Sequence, residues 1–144
     1  DGLIVDEQIR DNLISNNVSI VSNLKDVREK LVEAQRNIAN NKNVVMDGRD
    51  IGSFVLPNSK YKFFLTASVE ERAERRFNEL KSKDNSTDID LETIKSEIEE
   101  RDRIDSTREI SPLIKSNDAI EIDTTFKSID EVVDTIIDIV KKED

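Results

Sequence analysis

The stretch VVMDGRDIGSFVLP, residues 44–57, holds two of the chain's three glycines, Gly48 and Gly52. Apolar Val44, Val45, Met46 and Ile51 frame the acidic Asp47 and Asp50. Such a run is not a surface helix; it reads as a short buried strand, Val44–Met46, that ends in charge. Gly48 permits a tight turn, so that Asp47, Arg49 and Asp50 can be aimed into a crevice. On four residues alone, that loop reads equally as a binding loop or as a solvated, self-paired turn.

The flanking sequence places the stretch in an α/β pattern. Upstream, Leu24, Val27, Leu31, Ala34 and Ile38 recur at steps of three and four and predict an amphipathic helix; residues 6–15 carry a more mixed helical pattern. Downstream, Pro57-Asn58-Ser59 signals a turn and YKFFLTA, residues 61–67, a second strand. Ser68 and Glu71 have capping-box spacing and open a helix to about Leu80, followed by a loop over 81–88. Leu91, Ile94, Ile98 and Ile104 mark a charged helix that Pro112 is expected to stop. DAIEID, residues 118–123, alternates as a third strand. A second capping box, Ser128 to Glu131, then opens a helix with the widest apolar stripe, Ile129 to Val140. Strands separated by helices predict a parallel sheet, whose ligands sit beyond the carboxyl ends of its strands.

Composition narrows the chemistry. The 144 residues suit one soluble domain with a real core, and no stretch approaches the roughly 18 apolar residues of a membrane span. A cytoplasmic protein without membrane contact is expected. There is no cysteine and no histidine, which excludes disulfides, Ser-His-Asp triads, thiol nucleophiles and His-based metal sites. The net charge of −10 argues against sequence-independent nucleic-acid binding, although a few gathered arginines can still hold one phosphate. Asp1-Gly2 opens the chain without Met, and Gly2–Val5 reads as a turn entering a strand, so a fragment boundary is expected there.

Three further groups could carry chemistry. Arg101, Asp105 and Arg108, at i, i+4 and i+7, put plus, minus, plus on one helical face. This is either a solvated face, whose pairs contribute at most about 1 kcal/mol, or a bidentate grip on phosphate. Between a loop and a proline, the segment could move as a lid. Arg72, Arg75 and Arg76 cluster on the preceding helix, with Glu71 placed to pair Arg75. Ser15, Ser19 and Ser22 share one side of a helix if that segment is helical, with Arg28 beyond; they either read a base edge or cap the next helix.

Taken in order, IRDNLISNNVSIVSNLKDVREKLVEAQR, VVMDGRDIGSFVLP, ASVEERAERR, RDRIDSTREISPL and DAIEIDTT resemble the bacterial cytidylate kinases, over essentially the whole chain. The resemblance implies a P-loop kinase fold with a helical lid, and transfer of the ATP γ-phosphoryl group to CMP or dCMP with Mg²⁺. It implies that Ser19, Arg28 and Asp50 read cytosine and that Arg49 and Arg108 hold the CMP phosphate. Arg101 and Asp105 become lid groups meeting ribose and phosphates, and Asp47 a carboxylate near the Mg²⁺ hydration shell, with no direct metal ligand. Arg75, Arg76, Thr124 and Thr125 fall on the ATP side. Residues 1–42 become the rest of the monophosphate-binding region with its connecting helix, and 43–144 the core, with a lid over about 75–108.

One departure matters. The family's first strand and its Gly-Lys-Ser or Gly-Lys-Thr loop, which cradles the donor phosphates, have no counterpart here, since Gly2, Gly48 and Gly52 are the only glycines. That strand lies between those expected at 44–47 and 61–66. The 144 residues alone are therefore expected to be a split sheet with exposed edges and little activity, belonging to an enzyme that is a monomer when complete. The alternatives are a catalytically silent nucleotide-binding fragment and an acidic helical interaction module.

Overall fold

The computed structural model describes residues 4–5, 9, 12–22, 24–83 and 90–143. Its elements run α1 (Asn12–Ser22), α2 (Lys25–Ala39), a π-helical turn (Ile51–Val55), β1 (Phe63–Thr66), α3 (Val69–Lys83), α4 (Leu91–Thr107), β2 (Ile120–Asp123) and α5 (Ile129–Glu143). β1 and β2 pair in parallel, with Phe63 opposite Ile120 and Thr66 opposite Asp123. The expected α/β pattern is met, with a two-stranded sheet.

The expected strand at Val44–Met46 is not formed. Val45 is fully exposed and Val44 exposed, and no ladder partner stands beside them among the described residues. Without a neighbour to take its N–H and C=O groups, an apolar run has nothing to hold it as a strand. Met46 alone turns inward, against the cluster of Val32, Ile51 and Val55. A cleft of about 770 Å³ is lined by Val44 on one side and Lys60 and Tyr61, just before β1, on the other. The split sheet expected from the sequence is therefore met only on the β1 side, since residues 44–46 form no strand.

The helices follow their apolar periodicities, and the caps explain their starts. At α5 the capping box is reciprocal: Glu131 N–H donates to Ser128 Oγ (3.2 Å) and Ser128 N–H to Glu131 Oε2 (2.7 Å). At α3 only half forms. Glu71 N–H donates to Ser68 Oγ, but Ser68 N–H donates to Thr125 Oγ1, which leaves the Glu71 carboxylate to Arg75. α3 and α4 pack as a hairpin around buried Ala73 and Ile94, and Arg72 crosses between them to grip both oxygens of Asp102. α4 stops at Thr107, before Pro112: Arg108 already has extended backbone angles (φ −64°, ψ 144°). The strand expected from Ile4 and Val5 is also absent; both are exposed, and Val5 C=O accepts from Ile9 N–H.

Amide hydrogen exchange tests this topology. The amides of Val44, Val45 and Met46 are expected to exchange at rates close to those of unstructured chain. Those of Ile120 and Thr124, bonded to the carbonyls of Lys62 and Thr66, should exchange at least about a hundredfold more slowly. Equal protection in the two sets would mean that residues 44–46 are paired after all.

Candidate active site

One face of α2 organises the site. Arg28, Val32 and Arg36 recur every four residues along it, and each holds a different part of the 50–55 segment. Arg28 pairs with Asp50. Val32 packs on Ile51 and Val55. Arg36 donates from Nε and Nη2 to the carbonyls of Val55 (2.9 Å) and Phe54 (2.8 Å). The turn between them is π-helical, with Val55 N–H reaching Asp50 C=O at 3.1 Å. Gly48 is needed for room here: a Cβ would sit 2.9 Å from the Ile51 side chain.

Asp50 is thereby held in the interior, 3% exposed, and α4 brings a second buried carboxylate, Asp105, 2% exposed. Four arginines gather on these two. Arg28 bonds Asp50, and Arg108 Nη2 lies 3.7 Å from Asp50 Oδ1. Arg108 Nη1 lies 3.8 Å from Asp105 Oδ1, Arg49 Nε bonds Asp105 Oδ2 at 2.9 Å, and Arg101 Nε stands 3.9 Å from it. Six residues spread over 80 positions therefore form one network, and the solvated-face reading of Arg101, Asp105 and Arg108 is overturned by the burial of Asp105 and Arg108.

The network carries more cation than anion. Among the described residues Arg28, Arg49, Arg101 and Arg108 form ion pairs with Asp50 and Asp105 alone, a formal excess of two positive charges within these pairs. Burial holds Arg108 below the ordinary arginine value, with Arg28 and Arg49 adding to the effect against Asp50 and Asp105. Arg101 is lowered first by burial and then by the neighbouring Arg49. Both still remain cations near neutral pH. Arg28 Nε, Arg101 Nε and Arg108 Nη2 are buried without a hydrogen-bond partner. Arg28, Arg108 and both carboxylates are deep, whereas the side chains of Arg49 and Arg101 are 39% and 42% exposed. The arrangement is a cluster of arginines held by two buried carboxylates, with Arg49 and Arg101 at its more exposed side.

The remaining candidates stand apart from this network. Asp47 is exposed, just before the turn. Ser19 lies on α1, which packs against α2 and α4, but its side chain is outside the described set. Arg75 donates from Nη2 to the carbonyls of Thr124 (2.6 Å) and Lys127 (3.3 Å), so it ties α3 to the loop after β2. Thr124 Oγ1 donates to Thr66 C=O, Thr125 Oγ1 donates to Asp123, and Arg76 pairs with Glu79. Sequence reasoning missed Arg36 and the Arg72–Asp102 bridge between helices. Helical spacing from Arg28 through Val32 could have pointed to Arg36; no local signal marks Asp102 as the partner of Arg72.

Removing one partner from a buried pair leaves the other charge without compensation. Arg28→Ala is expected to lower stability by about 3–5 kcal/mol, read as a drop in the urea midpoint by circular dichroism. An unchanged midpoint would mean that Asp50 is compensated without Arg28.

Residues 1–142 match the family model described as cytidylate kinase. The chain is 55% identical over 137 residues to a cytidylate kinase of Leuconostoc mesenteroides subsp. mesenteroides, covering 95% of this chain and 60% of that protein. It is 51% identical over 134 residues to a cytidylate kinase of Clostridioides difficile, covering 93% and 61%. A bifunctional pantoate ligase/cytidylate kinase of Prochlorococcus marinus is 56% identical over 135 residues, 94% of this chain and 26% of that protein. The chain thus spans less than two thirds of the length of these relatives. It belongs to the cytidylate kinase family.

Proposed function

We propose that this chain carries the acceptor-nucleotide site and lid of an enzyme that transfers the γ-phosphoryl group of ATP to CMP or dCMP. The observation that carries the reading is the two-charge cation excess around Asp50 and Asp105, with buried donors on Arg101 and Arg108 that lack acceptors. A nucleoside monophosphate matches that excess with a dianionic phosphate and fills those donors with its oxygens. Arg49 and Arg108 then hold the phosphate, with Arg101 and Asp105 meeting the ribose and phosphates from the lid, taken as about 75–108.

The Arg28–Asp50 pair suits the base. Cytosine offers an exocyclic amine and ring acceptors; Asp50 takes the amine, and Arg28, with Ser19, donates to the acceptors. Arg75 acts on the ATP side by holding the Thr124–Lys127 loop, with Thr125 and Arg76 beside it.

Phosphoryl transfer between nucleotides is largely positioning and charge neutralisation, so arginines held by buried carboxylates are suited to it without a covalent intermediate. Closing the hairpin of α3 and α4 over the site would exclude water and limit ATP hydrolysis. Mg²⁺ in this reading is bound mainly by phosphate oxygens and water. That ion would supply charge neutralisation at the phosphates, and Asp47 is placed to accept hydrogen bonds from its hydration shell.

Titration calorimetry on the 144-residue chain tests the acceptor site. CMP is expected to bind, and Asp50→Asn to weaken CMP and cytidine alike by about tenfold or more. Arg108→Ala should weaken CMP by a similar factor and leave cytidine unaffected, with circular dichroism confirming that each variant is folded. Absence of CMP binding by the unaltered chain would overturn the reading.

A further inference from the structure

Among the described residues three that are not glycine have positive φ: Asn41, Ser111 and Phe126. Asn41 and Phe126 are exposed turn residues, and neither precedes a proline. Ser111 differs on both counts. It is 5% exposed, and it precedes Pro112, which by itself favours extended backbone in the residue before it. Yet its φ is 54°, in the left-handed region that side-chain-bearing residues rarely adopt.

Two contacts accompany that conformation. Arg108 Nε donates to the Ser111 carbonyl, and Leu113 N–H donates to Asp105 C=O at 2.7 Å, drawing the chain beyond Ser111 back onto the end of α4. The Ser111 hydroxyl contributes nothing to either, since Oγ is buried without a hydrogen-bond partner. The backbone, not the side chain, makes the contact with Arg108. With Nε anchored, the guanidinium plane is fixed between Asp50 and Asp105. Nη2 stands 3.7 Å from Asp50, too far for a hydrogen bond and without another partner.

We propose that Ser111 is a positioning residue: its left-handed backbone turns a carbonyl onto Arg108 Nε and so holds the far end of that guanidinium ready for the phosphate of the acceptor nucleotide. The inference rests on the function proposed above. A fork oriented before the ligand arrives does not itself have to turn once its cover is displaced, which favours affinity for the charged group and not for the base. The effect of disturbing Ser111 should therefore be confined to ligands that carry a phosphate.

The test compares the 144-residue chain with Ser111→Val and Ser111→Gly, using CMP and cytidine as ligands and circular dichroism to confirm folding. A β-branched residue resists positive φ, so Ser111→Val should weaken CMP about tenfold or more while leaving cytidine affinity unchanged. Glycine adopts this φ freely and keeps the carbonyl, so the glycine variant should retain most of the CMP affinity. Side-chain nitrogen NMR of arginine supplies a readout that needs no ligand. The Arg108 Nε–H signal, assigned by its loss in Arg108→Lys, should exchange slowly with solvent in the unaltered chain and the glycine variant, and fast in the valine variant. Equal CMP affinity in the valine variant and the unaltered chain, or equal losses with glycine and valine, would overturn the proposal. Should the valine variant not fold, fast Nε–H exchange in the glycine variant overturns it and slow exchange supports it. If the unaltered chain binds neither ligand, the nucleotide reading falls, and the Arg108 signal still decides whether Ser111 positions that side chain.

Discussion

Two buried carboxylates, Asp50 and Asp105, tie α2, the turn after residue 47 and the end of α4 to one another. Asp50 joins α2 to the turn after residue 47 through Arg28, and Arg108 brings the end of α4 to the same point. Asp105 draws in Arg49 from that turn and lies beside Arg101 and Arg108 of its own neighbourhood. Buried charges of this kind contribute little net stability over a well-packed apolar core, because desolvation offsets most of their attraction. What they do supply is geometry. Each carboxylate accepts from a limited set of directions, so arginines that share it are fixed relative to one another and to any ligand that joins them.

The apolar core is small by comparison, and it serves the same end. Val32, Ile51 and Val55 pack between α2 and the π-turn, with Met46 and Leu56 at the margin. Arg36 reaches over the outside of this cluster to the two carbonyls that end the turn. The π-turn itself follows from these demands. Asp50 faces Arg28 while Ile51 and Val55 face Val32, and the turn closes through Val55 N–H to Asp50 C=O and Leu56 N–H to Ile51 C=O, each spanning five residues. Beside the same turn, with its stem against Gly52, Lys62 is buried with its amine on Pro57 C=O and Asp118, joining the approach to β1 with the approach to β2.

Much of this could be read from residue order because the relevant physics is local. Helix periods for α2 to α5 and the capping box at Ser128 depend on neighbours within four residues. The site residues were legible as a set through their motifs, and six of them do converge: Arg28, Arg49, Asp50, Arg101, Asp105 and Arg108. What was not legible depends on distant partners. Val44–Met46 has the composition of a strand, but a strand exists only beside another, and none of the described residues supplies one. Arg75 has the spacing of a surface ion pair with Glu71 and makes it, yet its Nη1 and Nη2 go to a hydroxyl and two carbonyls some fifty residues away. Ser111 precedes a proline, which predicts extended backbone; the pull of Arg108 and of Leu113 on either side prevails instead.

The overall charge and the site charge oppose one another. A chain with net charge −10 sets up a field that repels nucleotides at long range, while the arginine cluster attracts them close by. At physiological ionic strength exposed charges are screened over about 8 Å, so the acidic surface matters mainly during approach. Within the cleft the balance reverses, since buried groups are screened far less and the four arginines outnumber their two carboxylates. Among the described residues Asp50 and Asp105 are the buried carboxylates, and they hold Arg28 and Arg108 at depth while Arg49 and Arg101 stay partly exposed.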